Sequence, residues 1–258
     1  MQKLISIDIF SDFGMLKKPD TNEPVYLTFN MLHKPAFLGI IGAIIGEKGF
    51  EELGVLPIYY KKLKDLKVSY EPLYHENGSF QKTIISYNNT TGMASKEAGG
   101  NLMISEQTLI APAFRCFILI DMEDETHVKI DHNLSNYQAE YLPYLGKNEF
   151  SVWWKNYRSH DNYERYSPSE SFRIRSVFIK NEPIAGKVDI QPITLNMNDS
   201  GNTFSYFERL PIKYKEIAKA QFQYEYKDFV LTDWLLESRY EISFELLSIE
   251  DYGIIQVF

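Results

Sequence analysis

The sequence predicts an α+β fold richer in strand than in helix, and three observations carry that expectation. Near the start of the chain Ile5, Ile7 and Ile9 alternate with polar neighbours and share one face of a strand. A helical run at 35–46 follows, apolar on more than one face through Phe37, Leu38, Ile40, Ile41, Ile44 and Ile45. Beyond residue 66, short alternating or continuous apolar runs recur between turn residues.

Taken in order, a strand is expected at 4–10. The polar stretch 11–24, which contains Lys17, Lys18 and Pro19, reads as a loop. Pro35 suits the first turn of the helix, which should end at Gly46 or Gly49. Strands are predicted at 66–73, 80–87 and 102–110, the last interrupted by Pro112. The polar segment 88–101 lies between the last two as the tip of a long hairpin. Residues 114–121 are almost wholly apolar and read as a central strand. Asp131 fits as the cap of a helix carrying Leu134, Tyr137, Gln138 and Tyr141, before a turn at 143–148 and a strand at 150–154.

Strand, helix, strands, helix, strand over residues 1–155 is the order of a ferredoxin-like or RNA-recognition-motif-like sandwich, with a hairpin inserted near 80–110. Residues 156–258 form a strand-rich second part, with strands expected at 172–179, 186–192, 204–210 and 240–247 and a helix at 211–224. No sharp linker separates the parts, so the second should pack on the first.

Composition narrows the function. The 258 residues carry 27 Lys+Arg against 35 Asp+Glu, a net charge of −8, and are 44% hydrophobic and 24% charged. Those values fit a folded globular protein and argue against disorder or a membrane protein. The longest apolar segment, 35–46, is shorter than the ~18–20 residues of a span, and no secretory apolar region precedes the first strand, so the cytoplasm is expected. A lone cysteine, Cys116, makes neither an internal disulfide nor a Cys-built zinc site. The aromatic content of 15%, from 18 Tyr, 17 Phe and 3 Trp, supplies flat contact area for a core, a partner or stacked bases.

Two features bear on binding. Gly39 and Gly42 inside the helix cost ~1 kcal/mol each relative to alanine. Either a neighbouring element packs tightly there, or a phosphate or sugar lies against the helix near its positive N-terminus beside Lys34. Lys61, Lys62, Lys64 and Lys67, interleaved with Tyr59 and Tyr60, suit backbone tracking, although a solvated face is the commoner origin of such a run. The net negative charge and a pI of ≈ 5.2 argue against a stand-alone nucleic-acid binder. The five histidines lack metal-ligand spacing, and Asp121, Glu123, Asp124 and Glu125 read as the solvated exit of a buried strand. No cofactor or metal is expected.

The N-terminal strand, the glycine-interrupted helix ending Ile44-Ile45-Gly46, the polar hairpin and the later Pro143-Tyr144-Leu145-Gly146-Lys147-Asn148-Glu149-Phe150 together resemble the CRISPR-associated Cas five family of the RAMP superfamily. Tyr206-Phe207-Glu208-Arg209-Leu210-Pro211 and Ile254-Ile255-Gln256-Val257-Phe258 resemble its subtype I-B branch. The resemblance implies a Cascade subunit that caps the 5′ end of the CRISPR RNA, touches the backbone and large subunits, and meets target DNA only indirectly. It implies RNA contacts at Lys34, Phe37, Gly39 and Gly42. On the thumb-like hairpin it implies contacts at Asn88, Thr90, Thr91, Met93 and Lys96, and at the turn Gly146, Lys147 and Asn148. Lys17, Lys18 and Arg115 complete the set.

RNA cleavage without metal needs a base and a cation. In the related self-processing subtype these include an adjacent Lys-His pair near the thumb, where this chain has Lys96-Glu97 and Arg115-Cys116. A non-catalytic subunit is therefore expected. The alternatives are a metal-independent endoribonuclease processing CRISPR precursor RNA, for which His33-Lys34 offers a chemical pair, and a protein-only scaffold.

Overall fold

A computed structural model of the protein describes residues 1–19, 24–89, 102–180, 204–236 and 245–258. Along the chain the described elements are β1 (Gln2–Phe10), β2 (Phe13–Gly14), β3 (Leu16–Lys17), β4 (Thr28–Phe29), α1 (Lys34–Ile44), α2 (Ile58–Leu63), β5 (Lys67–Leu73), β6 (Lys82–Asn89), β7 (Leu102–Ile110) and β8 (Ala113–Asp121). There follow α3 (Glu125–Ser135), β9 (Trp153–His160), β10 (Tyr163–Arg165), β11 (Phe178–Ile179), β12 (Ser205–Ala218), β13 (Gln221–Thr232), β14 (Glu245–Ile249) and β15 (Gly253–Val257). The strand expected at 186–192 and the hairpin tip lie outside the described residues.

The central sheet has the order β5-β8-β1-β9 with every pair antiparallel. Ile5, Ile7 and Ile9 alternate onto one face of β1, where they join Phe37, Leu38 and Ile41 of α1 and Ile130 and Leu134 of α3 in the main core. Strand order and helix placement together make the expected ferredoxin-like arrangement. The β6–β7 hairpin is inserted between its second and third strands, β5 and β8. Leu4, Phe117 and Leu119 on the opposite face are covered by Leu247, Ile249, Ile255 and Val257 of the β10-β14-β15 sheet. The main core also takes Leu210, Phe229 and Phe258 from the C-terminal part.

Helix α1 starts where His33 caps it, its Nδ1 accepting from the Ala36 N–H at 3.3 Å, with Pro35 in the first turn. The approach that its glycines permit is made by α2. A Cβ on Gly42 would lie 2.6 Å from Tyr59 Cβ, whereas one on Gly39 would make ordinary contact with the outer end of the Tyr59 ring, its hydroxyl nearest at 3.6 Å. Opposite effects are expected at the two positions. Gly39→Ala should stabilise by up to ~1 kcal/mol through helix propensity. Gly42→Ala should destabilise by about 1–2 kcal/mol, because overpacking outweighs that gain. Urea unfolding midpoints moving in the same direction would refute this account.

Four expectations are corrected. Residues 211–224 form no helix but run through the β12–β13 hairpin, in which Tyr214 sits opposite Tyr224 with ring centroids 4.9 Å apart. Pro211 is accommodated because β12 is an edge strand and its register shifts between Pro211 and Lys213. The helix expected to be capped by Asp131 is α3, which starts earlier, since Asp124 accepts from the Thr126 and His127 N–H groups, and ends before Tyr137. Asp131 lies inside that helix and binds Lys3 Nζ at 2.8 Å. The strand expected at 150–154 begins only at Trp153, because residues 144–151 close a turn through a Tyr144–Ser151 bridge. Of the strand expected at 172–179, only Phe178–Ile179 pairs continuously, while Phe172 and Ile174 make isolated bridges.

Candidate nucleic-acid interface

The inserted hairpin and the segments welded to its base form the candidate interface. In β6–β7, Ile84 faces Gln107, Ser86 faces Ser105 and Asn88 faces Met103. These residues share one side of the ribbon, where Ile84 and Met103 are strongly exposed and the Ser86 and Ser105 hydroxyls bond at 2.8 Å. Tyr87, Ile104 and Glu106 occupy the other side. The chain at Tyr26 docks on β7 through backbone bonds to Ser105 and Gln107 at 2.9 and 2.8 Å. Lys17 Nζ lies 3.7 Å from the centre of the Tyr26 ring, a cation–π distance that holds an exposed charge beside the hairpin.

The turn 143–150 adds the second cation. Gly146 adopts φ +85°, and a Cβ there would lie 1.9 Å from the Met15 carbonyl oxygen, so glycine is required for the turn to reach β3. Leu145 O accepts from Met15 N at 3.1 Å. This docking carries Lys147 to the hairpin, where its Nζ bonds Glu106 Oε2 at 2.6 Å and the Tyr87 hydroxyl at 3.2 Å. Partial burial alone would lower the Lys147 pKa, but those two bonds outweigh it and raise the pKa above the ordinary lysine value. Asn148 is exposed on the same turn.

The structure thus brings Lys17, Asn88, Lys147 and Asn148 into one region, while Thr90, Thr91, Met93 and Lys96 lie outside the described residues. Lys18 is close by but pairs with Glu208 at 3.3 Å. The predicted helix site is not open to a ligand. Lys34 is 7% exposed and donates to the Phe258 carbonyl at 3.1 Å, and burial lowers its pKa to about 8. Phe37 and Gly42 are buried, and the face of Gly39 is taken by Tyr59. The phosphate reading of these four residues is therefore replaced by packing. Arg115 sits on the far face of the central sheet, in a two-pronged ion pair with Asp8 at 2.7 and 2.9 Å. That partner holds its pKa far above the ordinary arginine value.

His33 and Lys34 do not make a catalytic pair, because His33 is enclosed between Phe29 and Tyr224 and spends Nδ1 on the helix cap. In the basic run, Lys61, Lys62 and Lys64 are exposed on and beside α2, but the interleaved Tyr59 and Tyr60 are buried and offer no stacking surface. Among the described residues, no group of three His, Cys, Asp or Glu side chains gathers as metal ligands, and no helix is long and apolar enough to cross a membrane.

Sequence reasoning missed two things. One is the Tyr87–Glu106 pair that receives Lys147. The other is a cleft of ≈ 490 Å³ beneath the hairpin base, bordered by Tyr74, His75, Phe80 and Trp153. The available signal for the cleft was aromatic residues abutting turns, Tyr74-His75 before Asn77-Gly78 and Trp153-Trp154 after the 143–150 turn.

No family model and no curated protein matches the sequence. Structural comparison does find similar folds. A CRISPR protein from Archaeoglobus fulgidus superposes with a TM-score of 0.51 at 12% identity, covering 100% of this chain and 99% of that one. The chain shares its fold with a CRISPR protein. A chain of a CRISPR RNA-guided surveillance complex also aligns, with a TM-score of 0.48 and 10% identity over 92% of each chain.

Proposed function

We propose that this chain is a non-catalytic, RNA-binding subunit of a CRISPR surveillance complex of the Cascade type, related to subtype I-B. In this reading it holds the repeat-derived 5′ end of the CRISPR RNA, contacts the backbone and large subunits, and meets target DNA only through them. One observation carries the reading. A ferredoxin-like sheet bears a long hairpin between its second and third strands, and this architecture matches a CRISPR protein over the whole of both chains.

The charge distribution fits a shared RNA. A net charge of −8 does not favour general polyanion binding, but Lys17 and Lys147 are fixed at the hairpin base by Tyr26 and by Tyr87 with Glu106. Local contacts of this kind position an RNA whose remaining charge is met by neighbouring subunits.

The test is binding of a repeat-derived CRISPR RNA by the purified chain at several salt concentrations, with the RNA recovered and sized, with and without chelator. The expected result is salt-dependent binding, a slope smaller by about one charge in Lys17→Ala, and intact RNA. Absence of RNA binding would sink the proposal. Clean cleavage at a single phosphodiester would replace it with the endoribonuclease reading.

A further inference from the structure

The cleft beneath the hairpin lies at the end of the central sheet, where β1 and β5 run out and β8 and β9 begin. Its volume of ≈ 490 Å³ falls in the range of small-molecule sites, about 300–1,000 Å³. Phe10 and Trp153 in its wall stack with centroids 6.3 Å apart and planes 18° from parallel, making an aromatic platform. Tyr74 borders the same space and is 86% exposed. Its backbone has φ 56°, a left-handed conformation that a bulky residue rarely adopts. Burial of the ring does not offset that strain, because the ring is in solvent. Such strain occurs in turns and at binding sites, and here the strained residue borders a cleft.

We propose that this cleft receives one unpaired nucleobase of the bound RNA, stacked on Tyr74 and the Phe10–Trp153 platform, with an exocyclic amine directed to the carboxylates of Asp12 and Glu76. The inference rests on the RNA-binding reading above and adds to it a subsite and a class of base. Three observations select a base over other ligands. The walls are aromatic, and bases stack on such rings in single-stranded RNA. Asp12 and Glu76 are the acidic residues lining the cleft and favour an amino group over a phosphate there, while Lys155 Nζ stands outside the lining, 5.9 Å from the Phe10 ring centre. Phe80, Gln81 and Ile110 join the cleft to the foot of β6–β7, so a strand lying along the hairpin reaches it. Carboxylates accept from cytosine N4 or adenine N6, where uracil presents a carbonyl.

The experiment compares the wild-type chain with Tyr74→Ala, using fluorescently labelled eight-nucleotide oligo(A), oligo(C) and oligo(U) at several salt concentrations. AMP is titrated separately against tryptophan fluorescence, and a repeat-derived RNA serves as the reference ligand. Oligo(A) and oligo(C) are expected to bind more tightly than oligo(U). Tyr74→Ala should weaken oligo(A) by about five- to a hundredfold. The salt slope should not change, because the ring touches no phosphate. An unchanged unfolding midpoint is expected for this exposed position and shows that the loss is one of binding. Wild-type affinity in Tyr74→Ala, or preference for oligo(U), overturns the base site and leaves the RNA reading standing. If the reference RNA and every oligonucleotide fail to bind, the RNA reading itself falls. AMP binding lost in Tyr74→Ala would then assign the cleft to a free nucleotide and overturn its assignment to RNA.

Discussion

Gly146→Ala is expected to destabilise the protein by about 2–5 kcal/mol. An L-residue at φ +85° costs roughly 1–2 kcal/mol in backbone strain alone. The new methyl would also sit 1.9 Å from Met15 O and 2.7 Å from Met15 C, and both are backbone atoms that no rotamer change can move. The turn must therefore withdraw from β3, which breaks the 3.1 Å bond from Met15 N to Leu145 O. Met15 and Leu145 are buried, so the separated groups cost a further ~1–3 kcal/mol. Chemical unfolding reads the sum. Gly49→Ala is the control, since a Cβ there meets nothing within 4 Å and its effect should stay near ±0.5 kcal/mol. A loss below 1 kcal/mol in Gly146→Ala would mean that the turn is not held as described.

Acid should destabilise the protein through His33. Complete burial lowers the pKa of this imidazole from 6.5 to about 3. The groups facing it are the Phe29 and Tyr224 rings and the Ala36 N–H, with no carboxylate among these contacts to stabilise a proton. Between pH 6.5 and about 3 the unfolded chain binds a proton here and the folded chain does not, so stability falls as pH falls across that window. The slope is up to about 1.4 kcal/mol per pH unit, for a total on the order of 3–5 kcal/mol. His33→Asn keeps a good helix cap and removes the titration. Its stability is expected to be lower than wild type at pH 7, with the gap shrinking by about 2–3 kcal/mol at pH 4.5, because the surface carboxylates titrate alike in both proteins. Parallel stability curves for the two proteins would refute the assignment.

What the sequence made legible follows from which forces are local. The alternation of Ile5, Ile7 and Ile9, the apolar run of β8 and the proline-started α1 are written in consecutive residues, and the ferredoxin-like order follows from their sequence along the chain. Residues 211–224 run through a hairpin instead of the expected helix. The competing signal, Phe222, Tyr224 and Tyr226 alternating with polar residues, becomes decisive only once Tyr214 stacks across the ribbon. The cap at Asp124 was hidden in an acidic run that also reads as a strand exit.

The candidate site divides in the same way. Lys147 and Gly146 stand out in the sequence as a turn, but the carboxylate that binds Lys147 lies on β7. Gly39 and Gly42 announce a close approach without naming the visitor, and Tyr59 is contributed by a six-residue helix too short for periodicity to reveal. Burial of Lys34 depends on Phe258, which no local pattern connects to it. The Tyr74 cleft is assembled from the ends of four strands, so its residues are scattered from Phe10 to Trp153.

The central sheet also sets the tempo at which the molecule can form. In its inner pair Gln2 faces Asp121 and Phe10 faces Ala113, so β1 waits for partners more than one hundred residues further along the chain. Val68 on β5 exchanges backbone bonds with Phe258. Early contacts of such range must first meet the entropy of closing a very long loop. Folding is then slow for the molecule's stability, as in other topologies dominated by distant pairings. During synthesis at about 5–20 residues per second, the apolar faces of β1 and α1 remain bare for on the order of ten seconds before β8 and β9 emerge. Covering those faces in that interval is expected to raise the share of chains that reach the folded state.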